Sequence, residues 1–139
     1  MVLVVKYLLD THAWLWGVLG EAKLGKRARK IMAGAGAEMK IGLAAISLKE
    51  AAWLLVHRRI VLRDAATAWP AWLRDAASAP GIEVLPLTVE VAIASEQWPA
   101  SFPRDPADRL IAATARVHGL TLVTADRTLQ ESEHVATLW

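Results

Sequence analysis

Short runs of apolar, β-branched residues alternate along the chain with stretches of helical period. "VLVVKYLL" at 2–9 is a buried strand by this pattern, and a short apolar helix follows over about 12–19. Residues 21–35 make an amphipathic helix: Lys23, Lys26, Arg27 and Lys30 fall at i, i+3, i+4 and i+7, with Leu24, Ala28 and Ile31 opposite. "MKIGLAAI" at 39–46 is a second strand and 47–59 a helix. A helix is expected over 64–78, with Pro70 an awkward residue in its middle. "IEVLPL" at 82–87 is a strand, and 88–98 a helix stopped by Pro99. The helix at 106–119 has the clearest bounds, with Pro106 at its first position and Gly119 just past its end. "LTLVT" at 120–124 is a strand, "DRTLQES" a short helix, and "HVATLW" an edge strand. Strands alternating with helices predict an α/β fold: a three-layer α/β/α sandwich around a mainly parallel sheet, as one domain over 1–139.

Composition narrows the class. With 139 residues the chain can bury a core without disulfides, and it has no cysteine to form one. The missing cysteines also exclude thiolate zinc sites and a cysteine nucleophile, so any metal needs oxygen or imidazole ligands. The 55% hydrophobic content owes much to alanine, and Lys6 interrupts "MVLVV", which predicts a cytoplasmic protein with no leader or membrane span. A net charge of +2 does not by itself announce nucleic-acid binding. Seven tryptophans against one Tyr and one Phe have no compositional explanation, although exposed Trp suits a partner interface.

Four carboxylates occupy one kind of place. Asp10 ends the first expected strand, and Glu50 lies one turn into the helix after the second. Asp108 lies in the first turn of the 106–119 helix, and Asp126 follows the strand at 120–124. In an open parallel sheet, strand C-termini and the adjoining helix starts share one edge, where ligands bind. Each acid also has a structural reading. Asp10 and Asp126 suit N-caps, Ser47 and Glu50 fit the S-x-x-E capping box, and Asp105 caps Pro106 with Asp108 an acid of the first turn. Capping needs one acid per helix but does not need the acids to converge. Converging carboxylates repel and raise one another's pKa, a penalty that a divalent cation removes. Hard oxygen ligands point to Mg²⁺ or Mn²⁺, and the chemistry such a cluster suits is phosphodiester hydrolysis.

These motifs resemble those of PIN-domain ribonucleases of the VapC type, the toxins of type II toxin–antitoxin pairs. "LLDTHAWLW", "AISLKEAAWLL", "RDPADRLIAATA" and "LTLVTADRTL" resemble the family's four acidic motifs, in order, and the closing "TLW" is also typical. The resemblance implies a metal-dependent endoribonuclease toxin acting on structured RNA, tRNA or rRNA, neutralised by a cognate antitoxin and assembling as a homodimer. It implies Asp10, Glu50 and Asp108 as metal-binding carboxylates with Asp126 a fourth, supported by Thr11, Ser47, Thr124 and Asp105.

The remaining candidates carry two readings each. His12 is an RNA contact or proton-transfer group, or a packed histidine. Arg109 holds a phosphate or pairs with a neighbouring acid. Lys23, Lys26, Arg27 and Lys30 track an RNA backbone or form a solvated helix face, and His57, Arg58, Arg59 and Arg63 form a second such cluster. Trp14, Trp16 and Trp53 serve a groove for an antitoxin helix, a dimer contact or the core. Two other functions fit less of the pattern. One is a non-catalytic partner in an antitoxin–DNA repressor complex; the other is a different carboxylate-dependent phosphatase or nuclease. The D-x-D-x-T pattern of one phosphatase class is absent, because His12 stands two residues after Asp10.

Overall fold

Consecutive residues of the central strands feed opposite faces of the sheet. The computed structural model describes residues 4–37, 39–64 and 66–139; positions 2 and 3 of the expected first strand and position 65 of the expected fourth helix lie outside them. The elements run β1 (Val5–Leu9), α1 (Thr11–Leu19), α2 (Lys26–Ala33), β2 (Lys40–Ala44), α3 (Ala45–Val56), α4 (Trp69–Ala77), β3 (Ile82–Leu85), α5 (Val89–Ser95), α6 (Pro106–His118), β4 (Thr121–Val123), α7 (Arg127–Glu131) and β5 (Thr137–Leu138). The strand order is β3-β2-β1-β4-β5, and every pairing is parallel. Leu8 lies beside Leu122 and Leu9 beside Val123 across the β1–β4 ladder.

Leu8, Ala44 and Leu122 enter one core with Val91, Trp98, Phe102 and Ile111 of the α5–α6 side. Their neighbours Leu9, Leu43 and Val123 enter a second core with Trp14, Leu15, Ala28, Ile31 and Ala51 of the α1–α4 side. A sheet buried on both faces needs apolar residues at successive positions, which is why its strands are continuous apolar runs. The expected three-layer sandwich is the observed one. No helix among the described residues is long and apolar enough to cross a membrane.

Three helix starts differ from the sequence pattern, each for a local reason. α2 begins at Lys26 rather than 21, after Gly20 has closed α1 in the left-handed region (φ 68°) and Gly25 has become the N-cap. α4 begins at Trp69 rather than 64, which puts Pro70 in its first turn. Proline lacks the N–H that an interior position must donate, so the helix starts where none is needed. α3 begins at Ala45 directly from β2, with Ala44 in the cap position and no side-chain capping bond. Ser47 therefore sits inside the helix, and the S-x-x-E capping box is not formed. The acidic caps form as read: Asp10 accepts from the Thr11 N–H, Asp105 from the Ala107 and Asp108 N–H groups, and Asp126 from those of Thr128 and Leu129.

Candidate active site

Asp10 leaves β1 where its backbone N–H bonds to the Val123 carbonyl at the end of β4, 2.9 Å away. That pairing sets Asp10 and the β4–α7 turn side by side at the C-terminal edge of the sheet. α3 brings Glu50 to the same edge, and the first turn of α6 brings Asp108. Asp10, His12, Trp16, Glu50, Asp105, Asp108, Ala125 and Asp126 line one cavity of about 450 Å³. The fold thus gathers four acids spread over more than a hundred residues.

A second layer of buried hydroxyls holds them. Thr11, Ser47 and Thr124 are all buried. Thr11 Oγ1 stands 2.6 Å from Glu50 Oε1 and 2.9 Å from Ser47 Oγ. A hydroxyl has one proton, and the carboxylate is the stronger acceptor, so Thr11 donates to Glu50 and takes the Ser47 proton on its own oxygen. Thr124 Oγ1 donates to Asp10 Oδ2 at 2.8 Å and accepts the Asp126 backbone N–H at 3.1 Å. Asp10 Oδ1 accepts the Thr11 N–H at 2.7 Å. Gln130 Nε2 in turn donates to the Thr124 carbonyl at 2.8 Å. Gln130 was not among the sequence candidates. It lies one turn past Asp126 on a short helix, and nothing in its spacing marks it.

The electrostatics are those of crowded acids. Burial, and secondarily the Asp126 charge, raises the Asp10 pKa against the opposing bonds from Thr124 and the Thr11 N–H. Glu50 is raised by burial, then by Asp10 and Asp105, with the Thr11 hydroxyl acting the other way. Asp108 is pushed up to about 7, chiefly by burial and then by Asp105, Asp10, Asp126 and Glu50. Among the described residues, no three acidic or histidine side chains stand in a ready chelating cluster. The Asp10 and Asp126 oxygens are held by threonine hydroxyl and backbone N–H groups.

The basic candidates divide. His12 is exposed and lines the acidic cavity, rather than packing in the core. Lys23 places Nζ 5.7 Å from the Trp16 ring centroid. Lys26, Arg27 and Lys30 lie on the exposed face of α2. Arg109 is not brought to the acids: Nε donates to the Pro103 carbonyl at 2.8 Å, and the side chain lines a separate cavity with Arg104 and Glu96. His57 stacks on Trp53 at 4.3 Å, and the Arg59 guanidinium lies 5.8 Å from the same ring. The three tryptophans have three places. Trp14 is wholly buried, Trp16 is a wall of the acidic cavity, and Trp53 is exposed beside an adjoining groove.

Residues 7–134 match the PIN domain family. The chain belongs to that family. This PIN domain is 38% identical over 134 residues to Ribonuclease VapC22 of Mycobacterium tuberculosis (strain ATCC 25618 / H37Rv), a match covering 95% of this chain and 97% of that protein. At that identity and coverage it belongs with the VapC-type PIN domains. Its fold superposes on VapBC2 from Rickettsia felis bound to a DNA fragment from their promoter, with a TM-score of 0.70 and 14% identity over 97% of this chain and 98% of that one. FitAcB from Neisseria gonorrhoeae gives a TM-score of 0.66 and 24% identity over 96% of this PIN domain and 97% of that chain. These two structural likenesses speak to the fold.

Proposed function

We propose that this PIN domain is the endoribonuclease toxin of a toxin–antitoxin pair, hydrolysing RNA phosphodiester bonds with a Mg²⁺ or Mn²⁺ ion held by Asp10, Glu50, Asp108 and Asp126. The observation that carries this is the gathering of those four carboxylates, from four separate elements, around one cavity. The name of its relative, Ribonuclease VapC22, supports the activity class.

The donor set fits such an ion. All four groups are hard oxygen donors, and the cavity has room for the waters that Mg²⁺ keeps while taking one or two carboxylates. Burial raises the pKa values of Asp10, Glu50 and Asp108 first and like charges add to it, a penalty that a bound cation would offset. When bound, the ion would supply an activated water and a charge to stabilise the leaving oxygen. The chain itself fixes the geometry: Thr11 orients Glu50, Thr124 orients Asp10, and Gln130 braces Thr124. His12 at the same cavity offers a hydrogen-bond donor to the phosphate. No covalent nucleophile is needed.

Structured RNA such as tRNA or rRNA is the proposed substrate class, and a cognate antitoxin and a second copy of the chain are the proposed partners. Exposed apolar residues at Leu87, Val89 and Ile93, and at Trp53 and Val56, offer surfaces for them. The test is RNA cleavage mapping by the purified protein with Mn²⁺, beside Asp10→Asn and Asp108→Asn. Both variants should lose cleavage and growth inhibition while keeping the fold. Retained cleavage in both would overturn the assignment. A non-catalytic role in a repressor complex is the second reading, prompted by the promoter-bound VapBC2 structure. Titration calorimetry with Mn²⁺ separates the two, because a pure binding module has no reason to bind the ion.

A further inference from the structure

The acids account for part of the cavity. Trp16 lines the same cavity, a place that neither capping nor the proposed metal site explains. Trp16 is half-buried and packs against the α1–α4 core, so its position is fixed. The His12 ring lies 5.5 Å from it, tilted by 57°, and the Trp139 ring meets it edge-on at 6.0 Å and 66°. Trp139 is itself wedged against Gly25, where an added Cβ would come within 2.9 Å of the Trp139 backbone and ring. The one cation over the ring in the described contacts is Lys23, an exposed and flexible side chain.

We propose that Trp16 is a stacking platform for one nucleobase of a single-stranded RNA segment beside the scissile phosphate, and that Lys23 moves from the ring face to the neighbouring backbone phosphate. The inference rests on the ribonuclease reading of the acidic cavity and names a positioning subsite for it. Three features favour a nucleotide as the occupant. A rigid aromatic wall presents a π-face, which stacks on any base. Lys23, an exposed cation 5.7 Å from the ring centroid, suits the polyanion that follows a stacked base. The platform shares its cavity with the groups that would act on the phosphate, so a base on Trp16 sets the register of the strand.

The test uses the full chain carrying Asp108→Asn in every arm, with Mn²⁺ present, so that cleavage does not compete with binding. The probe is a labelled single strand of about 12 ribonucleotides, a length within known single-strand site sizes. It is compared with copies in which one abasic site is moved along the strand. Binding should weaken roughly ten-fold when the abasic site reaches one position, the size expected for a lost base–aromatic stack. Trp16→Leu should weaken the intact strand by a similar factor, and should make that abasic position harmless. Lys23→Gln should lower the salt dependence of binding by about one phosphate contact. A strand with no abasic-sensitive position overturns the proposal without any Trp16 variant, should Trp16→Leu fail to fold. Additive losses for Trp16→Leu and the abasic site, or unchanged RNA affinity in Trp16→Leu, also overturn it and leave the ring to a protein partner. Cleavage by the unaltered chain is measured alongside. If that chain cleaves no RNA, the ribonuclease reading fails and the inference with it; cleavage without coupling sinks the inference alone.

Discussion

At the scale of the residue, Thr11 decides what Glu50 is for. In sequence, Ser47 and Glu50 make a capping box. In the fold, neither caps a helix, and both spend their side chains on the Thr11 hydroxyl. Thr11→Val should therefore leave α3 in place but free the Glu50 carboxylate and leave the Ser47 hydroxyl without a partner. The expected loss is about 1–3 kcal/mol of stability, the range for a buried polar group left unpaired. Denaturant unfolding measures it, and a parallel drop in cleavage at saturating Mn²⁺ measures the loss of orientation. Asp108 makes a second prediction. Its folded pKa of about 7 lies above the ordinary value of 3.8, so the folded state holds the proton more tightly than the unfolded chain. The contribution of Asp108 to the stability of the metal-free protein should then be full below about pH 4 and decline as pH rises to about 7. Asp10 and Glu50 are shifted in the same direction and add to the slope. Thermal melts across that range should show the decline, and Asp108→Asn should flatten it.

At the scale of the element, capping and the acidic cavity overlap: Asp10, Asp105 and Asp126 are N-caps that also line it, and Asp108 lines it without capping. Asp105 caps α6 through the Ala107 N–H at 2.8 Å and more weakly through the Asp108 N–H at 3.4 Å. Asp105→Ala should cost about 1 kcal/mol by unfolding, the usual value of a lost N-cap. It should also relieve repulsion on Asp108, since Asp105 is the leading charge acting there. The bounds of α6 were legible in advance, because proline and glycine act locally through a missing N–H and a free φ. The starts of α2 and α4 were not. Their polar–apolar periodicity continues through residues 21–25 and 64–68, while Gly25 and Pro70 set where the hydrogen-bonded ladder begins.

At the scale of the whole molecule, the acidic edge is a place where folding energy is spent against function. The two apolar cores hold the C-terminal ends of β1 and β4 and the starts of α3 and α6 together, and so force the carboxylates into one cavity. A divalent cation that binds only this assembled site should stabilise the fold by about 2.7 kcal/mol at a hundred times its Kd. Calorimetric melts with and without Mn²⁺ should show the gain at neutral pH, and Asp10→Asn should abolish it. The amino-acid sequence by itself determined the alternation of strands and helices, the parallel sandwich and the four acids at strand ends and helix starts, because period and punctuation are local properties of the chain. It also placed Asp10, Asp105 and Asp126 as caps. Only the tertiary structure decided that Thr11 rather than a capping box engages Glu50. It alone put His12 and Trp16 on the cavity, kept Arg109 away from it, and sent Trp14 to the core. Those outcomes depend on which side chains from distant elements meet at one sheet edge, and no spacing along the chain encodes that distance.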